Sequence, residues 1–144
     1  MASPRFLRSQ VVIPVTDIYD TLAWYERVLG FETRYVHGSG RRDEVEDVED
    51  FANYAIMGRD TAEVHFIMDE GGPAWTRSGT GYIYLRVLDV DTAYADIKSK
   101  GIAITRQLQH ENWPVRGFNL RDPSGNEVHI EQPLEPPVSD PQFS

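Results

Sequence analysis

One phrase occurs twice in this chain, and it limits what the chain can become more than any other feature. Residues 59–66 read RDTAEVHF and residues 121–130 read RDPSGNEVHI, so Glu63-Val64-His65 is matched by Glu127-Val128-His129. Upstream, Val15-Thr16-Asp17 opens an amphipathic run that closes at Gly30-Phe31, and Val87-Leu88-Asp89 opens another that closes at Gly101-Ile102. Repetition on this scale marks one supersecondary unit used twice. The chain has 144 residues, enough for one compact domain. Units of half that size are marginal alone, so the two are expected to share a core.

Each unit reads as strand, helix and three strands. In residues 10–16 (QVVIPVT), Val11, Ile13 and Val15 face one way. Pro14 lacks a donor, so this strand sits at an edge or leaves a gap in its ladder. Asp17 is an N-cap, and Ile18, Leu22, Tyr25 and Leu29 follow at helical spacing up to Gly30. Strands are expected over residues 31–36, 51–57 and 62–68. Residues 69–79, with Gly71, Gly72 and Pro73, link the halves. The second unit begins with residues 81–88, where Tyr82, Tyr84 and Arg86 share one face and Ile83, Leu85 and Val87 the other. Asp89 caps its helix, residues 102–108 form a strand, and residues 109–114 form a loop with His110 and Trp113. The last hairpin, residues 115–132, turns at Asp122-Pro123-Ser124-Gly125. Beyond its apolar back, Glu127, His129 and Glu131 line the other face of the final strand. The organisation is therefore an arm (1–9), module one (10–68), linker (69–79), module two (80–132) and a proline-rich tail (133–144), with 10–132 as a single domain.

Composition narrows the function classes. There is no cysteine, hence no disulfide, thiolate nucleophile or sulfur-bound metal. The net charge of −9 argues against nucleic acid as a partner. The apolar run at residues 11–15 is too short for a membrane or signal segment, and the chain reads as cytosolic. The acidic segment at 37–50 reads either as a lid beside a cleft or as a solvated loop.

Residues 23–31 (AWYERVLGF) resemble the "FYxxxLGF" stretch of the vicinal oxygen chelate superfamily, the glyoxalase, bleomycin-resistance and ring-cleaving dioxygenase group. Residues 116–126 (RGFNLRDPSGN) resemble its "REFxLxDPxGN" hairpin. The likeness spans residues 10–132 and leans to the bleomycin-resistance branch, departing from it at Val115 and Gly117. It implies an α+β fold of two βαβββ modules, whose curved mixed sheets surround a cleft with the helices outside, and a homodimer. It also implies a small-molecule binding protein that sequesters an antibiotic such as bleomycin without metal. The alternative within the superfamily is a metal-dependent glyoxalase-like lyase, an isomerase or an extradiol-type dioxygenase. The resemblance places four metal points at Gln10, His65, Tyr82 and His129. Only the two histidines are good donors, where Lewis-acid chemistry usually takes three ligands.

The sequence therefore leans to a binding protein without cofactor, with one divalent metal on Gln10, His65 and His129 as the alternative. No catalytic residue is assigned. The candidate ligand-binding residues are Glu63, His65, Trp75, Tyr82, Tyr84, Trp113, Arg116, Phe118, His129 and Glu131. The aromatics would stack on a flat ligand, the acids would attract a cationic one, and the arginine would orient anionic or carbonyl groups. Trp75 reads equally as a loop anchor.

Overall fold

The fold follows from the capped helices and the alternating strands, and the computed structural model describes it for residues 3–41 and 51–134. The acidic segment from residue 42 to residue 50, and the tail from residue 135, lie outside the described residues. Module one comprises β1 (Val12–Val15), α1 (Ile18–Leu29), β2 (Glu32–His37), β3 (Tyr54–Arg59) and β4 (Ala62–Met68). Module two comprises β5 (Tyr82–Arg86), α2 (Val90–Ser99), β6 (Ile104–His110), β7 (Val115–Arg121) and β8 (Glu127–Pro133). Both caps form as expected: Asp17 accepts from the Asp20 amide at 2.8 Å and Asp89 from the Thr92 amide at 3.2 Å. Gly30 ends α1 with φ at +67°, a conformation glycine adopts without a Cβ penalty.

The two mixed sheets have orders β1-β4-β3-β2 and β5-β8-β7-β6, each with one parallel pair at its inner edge. Pro14 therefore lies in an edge strand, one of the two places a proline can occupy. Strand bounds move by up to three residues from the sequence expectation. β3 begins at Tyr54 because Phe51 and Ala52 are buried ahead of it, and β6 continues to His110 through two register shifts against β7. Pro133, expected to open the tail, is instead the last residue of β8, paired with Val115. The linker holds a single 3-10 turn at Ala74–Thr76.

Each helix packs on its own sheet, and one apolar cluster runs through both modules. The final hairpin turn locks the halves together. Tyr25 of α1 donates to Asp122 Oδ2 at 2.8 Å, and Asp122 Oδ1 accepts from the amides of Ser124 and Asn126, each at 2.9 Å. Asn126 Nδ2 donates to the Pro14 carbonyl at 2.9 Å, while its Oδ1 accepts from the amides of Gly79 and Gly81. Burial, with the Asp122 carboxylate beside it, raises the Tyr25 phenol well above its usual range. The conspicuous DPSGN turn is thus the bolt between modules. Its aspartate and asparagine carry the hydrogen bonds of the junction.

Candidate functional site

In module two, strand alternation places one row of polar side chains on the face away from α2. The register pairs Tyr82, Tyr84 and Arg86 of β5 with Glu127, His129 and Glu131 of β8, and these with Arg121, Asn119 and Gly117 of β7. The result is a three-by-three grid in which neighbours across the strands are within bonding reach. Gly117 is the vacancy in it. A Cβ there would stand 3.0 Å from Cε1 of His129 and 2.9 Å from the Ile130 carbonyl, so the absence of a side chain is what lets the imidazole settle against β7.

The grid is wired along its length. Glu131 is fully buried and accepts from the Tyr84 hydroxyl, from Arg86 Nε at 3.2 Å and from His129 Nε2 at 3.1 Å. His129 Nδ1 lies 2.6 Å from Asn119 Oδ1, and the Asn119 amide nitrogen donates to Glu127 Oε1 at 2.9 Å. Arg121 Nε and the Thr105 hydroxyl complete the shell of Glu127. Burial pushes the Glu127 carboxyl up, but the hydrogen bonds from Asn119, Arg121 and Thr105 outweigh it and hold the group below its ordinary range. The Tyr84 phenol is pushed up to about 12, by burial and then by Glu131, with the Trp113 indole N–H opposing.

Above this polar chain the aromatic rings form a stack. Tyr84 lies 4.6 Å from the His129 ring and Tyr82 lies 6.2 Å from Tyr84, both near-parallel at 29°. His129 is 1% exposed, whereas Tyr82 and Tyr84 are 54% and 46% exposed. Two tyrosine faces therefore look outward over a buried imidazole.

Module one offers a sparser version. Glu63 accepts from Arg34 at 3.3 Å and from Gln10, with Arg8 at 4.0 Å. His65 Nδ1 bonds the Tyr54 hydroxyl at 2.7 Å, while Nε2 is buried without a hydrogen-bond partner, 3.6 Å from Glu63 Oε2. Glu63 lines a cavity of about 380 Å³ with Val11, Tyr82, Tyr84 and Arg86, so one acid of module one meets the aromatic wall of module two. A larger groove of about 1070 Å³ opens on the helix side, between the end of α1 and α2. Its walls are apolar, and two of its rim acids are already engaged: Asp89 caps α2 and Asp96 pairs with Lys100. Convergent polar groups, which orient a ligand, are found on the grid face instead.

The structure brings Glu63, Tyr82, Tyr84, His129 and Glu131 to this region, with Trp113 beside Tyr84 and half-exposed. Three sequence expectations are corrected. Phe118 is fully buried against Tyr94 of α2, on the core face of β7, and cannot stack on a ligand. Arg116 shares that face and pairs with Asp91 of α2 at 3.1 Å. Glu131 has no exposed surface, so it cannot meet a ligand cation. The side chain of Trp75 lies outside the described residues. Gly117, Asn119, Tyr54 and Arg34 were not anticipated. The first two share strand parity with Arg121, so alternation back from the turn was the available signal.

The superfamily's sequence profile, described as the Glyoxalase/Bleomycin resistance protein/Dioxygenase superfamily, matches residues 8–130. This chain belongs to that superfamily. Similar solved structures include a bleomycin resistance determinant encoded on the transposon Tn5, at 22% identity and TM-score 0.66, covering 90% of this chain and 100% of that one. A bleomycin-binding protein complexed with bleomycin is 22% identical, with TM-score 0.64 and coverage of 88% and 98%. TnmS3, an antibiotic binding protein from Streptomyces sp. CB03234, is 21% identical, with TM-score 0.65 and coverage of 90% and 99%. No curated protein matches the chain in sequence.

Metal enzymes of the superfamily would draw ligands from the positions of Gln10, His65, Tyr82 and His129. The donors here do not fit. Both nitrogens of His129 are bonded within the grid, and Gln10 donates to Glu63. Among these four residues, His65 Nε2 is the one good donor left uncommitted, short of the usual three.

Proposed function

We propose that this superfamily member is a small-molecule binding protein that sequesters an antibiotic-type ligand in the grid-face cleft, without a metal and without chemical turnover. It acts as a homodimer in the cytoplasm. The observation that carries the reading is the stacked, outward-facing Tyr82–Tyr84 pair over groups that are bonded to one another. A general acid or base needs a free proton site within reach of its substrate. His129 and Glu131 are enclosed partners, so they fit the part of scaffold better than that of catalyst. The fold shared with antibiotic-binding proteins supports the same class. For the dimer, the support is apolar surface: Phe6 and Leu7 of the arm are 95% and 92% exposed and Leu88 is 78% exposed. Closed two-fold pairing is the commonest way to cover such surface.

The test is expression in a sensitive bacterial host challenged with a panel of antibiotics. Sequestration raises the tolerated dose in proportion to protein level, and the recovered drug keeps its mass. A modified product would replace binding by catalysis. Protein purified without a histidine tag should hold well under one equivalent of zinc, nickel, iron or manganese. Stoichiometric metal that disappears in His65→Ala would reinstate the metal-dependent alternative.

A further inference from the structure

Strict alternation along β6 would turn Arg106 toward α2, on the same face as Ile104. Two register shifts prevent it. Ile104 lies opposite Leu120, Arg106 opposite Asn119 and Gln109 opposite Gly117, so one extra residue enters β6 at each step. A bulge of this kind sets two residues against one and re-aims the side chains beyond it. The first keeps both Thr105 and Arg106 on the grid face, where Thr105 bonds Glu127. The second sends Gln107 and Leu108 to the other face, where Tyr94 of α2 bonds Gln107 and Leu108 packs on the core. Gln109 then returns to the grid face. The row across the sheet therefore runs Tyr84, His129, Asn119, Arg106.

Arg106 is fixed in that place. Its Nη1 donates to Glu111 at 2.5 Å. Gln109, with its amide oxygen toward the guanidinium, accepts from Nη2 at 3.0 Å and from Nε at 2.7 Å. The Glu111 side chain is 2% exposed, whereas that of Arg106 is 44% exposed. The carboxylate that holds the guanidinium is thus buried, and the guanidinium itself reaches solvent. An arginine carries five N–H donors and stays charged. Three bonds leave two of these donors over, one on each terminal nitrogen. A side chain held in this way has given up its rotamer freedom on folding, so a ligand does not bear that cost again.

Resting on the binding function proposed above, we infer that Arg106 is the specificity-determining residue of the cleft and that the ligand is an acidic aromatic compound. Its ring system stacks on Tyr82 and Tyr84, and its carboxylate takes the two remaining guanidinium protons. The fork of an arginine matches such a planar two-oxygen acceptor. Tyr84 and Arg106 stand three strand spacings apart, about 14 Å, so the ring and the acid are joined by a spacer. Gln109 and Glu111 are positioning residues that act through Arg106. The orienting part expected of Arg116 falls to Arg106, because Arg116 faces α2. The acids that suggested a cationic ligand already have partners: Arg86 on Glu131, Arg121 on Glu127 and Arg34 on Glu63.

Two probes share a ring and a spacer and differ at the far end: 1-pyrenebutanoate and 1-pyrenebutanol, titrated by pyrene fluorescence. The carboxylate should bind about tenfold more tightly than the alcohol, and Tyr84→Ala should weaken both. In Arg106→Gln the preference should fall to about threefold or less, with affinity for the alcohol kept. Were Arg106 only a fastener of the β6–β7 loop, the variant would melt lower with its preference unchanged, and that result overturns the inference. Equal binding of the two probes by the wild-type protein also overturns it, and leaves the stacking cleft standing. Failure of both probes to bind overturns the binding function and the acid subsite with it. Arg106→Gln leaves Glu111 buried without its cation, which can prevent folding. Arg106→Gln with Glu111→Gln removes both charges, and the same loss of preference is expected of it.

Discussion

Replacing Glu131 by glutamine keeps the shape of the side chain and removes its charge, and the grid predicts that the fold suffers. Three donors converge on two carboxylate oxygens: the Tyr84 hydroxyl, Arg86 Nε and His129 Nε2. Glutamine offers one oxygen and one NH₂, and its NH₂ faces a donor whichever way the amide turns. With the oxygen toward Tyr84 and His129, it faces Arg86; reversed, it faces both of the others. A buried donor without an acceptor costs about 1–3 kcal/mol. Removing one partner of a buried ion pair costs about 3–5 kcal/mol. Arg86 is about a third exposed, and solvent screens its share, so about 3 kcal/mol is the expected total. Unfolding entropy of about 2.1 cal/mol/K per residue, over 144 residues, gives about 0.3 kcal/mol per degree. The variant should therefore melt about 10 °C lower in scanning calorimetry at pH 7.

A drop below about 2 °C would mean that the grid contributes almost nothing, and the reasoning would fall with it. The pair itself is read by a double-mutant cycle. His129→Gln alone should also destabilise, and the double variant should lose at least about 1 kcal/mol less than the sum of the two. Additive losses would show that His129 and Glu131 are not coupled.

Tyr25→Phe leaves Asp122 one donor short at the module junction and should cost about 1.5–3 kcal/mol in urea unfolding; a loss under about 0.5 kcal/mol would remove the bolt from that turn. Gly117→Ala forces a methyl against the His129 ring and the Ile130 carbonyl, and should cost about 1–3 kcal/mol, visible as a lower melting temperature and a shifted His129 ring resonance. The Thr92 hydroxyl and amide hold the Asp89 carboxyl below its ordinary range, and the hydrogen bonds on Glu127 do the same for that group. In the folded state both groups bind protons less readily than in the unfolded chain, so their stabilisation is complete above the ordinary carboxyl range and is lost as pH falls through their lowered folded values. Urea midpoints measured from pH 7 down to pH 3 should decline, and the acid end of that decline should be shallower in Asp89→Asn.

Much of the fold was legible because it is written locally. Asp17 and Asp89 announce helix starts, Gly30 a helix stop, and Pro14 an edge strand or a gap in a ladder, of which the structure has the edge, each through backbone chemistry that needs no partner elsewhere. The grid was legible in part. Alternation puts Glu127, His129 and Glu131 on one face, but whether that face meets water depends on β5 and β7, which lie on either side of β8. Phe118 and Arg116 were misplaced for a parity reason. Counting back from the turn, Leu120, Phe118 and Arg116 share the core face, and an aromatic two residues from a buried leucine was read as a cleft residue. Glu131 was read as a cleft acid open to a ligand cation because sequence shows a carboxylate but not its three donors.

The repeated histidine shows how duplication separates position from role. His65 and His129 occupy equivalent places, one opposite Ile56 and the other opposite Asn119. The neighbouring position carries Tyr54 in module one and Gly117 in module two, opposite Ile67 and Glu131 respectively. In module one the phenol of Tyr54 claims Nδ1, and the alkyl side chain of Ile67 offers nothing to Nε2. In module two the empty space over Gly117 admits the ring, while Asn119 and Glu131 take both of its nitrogens. The same three-residue phrase therefore yields one histidine with an uncommitted nitrogen and another bonded at both. What each can do was decided by residues on the strands beside it, where the two copies no longer agree.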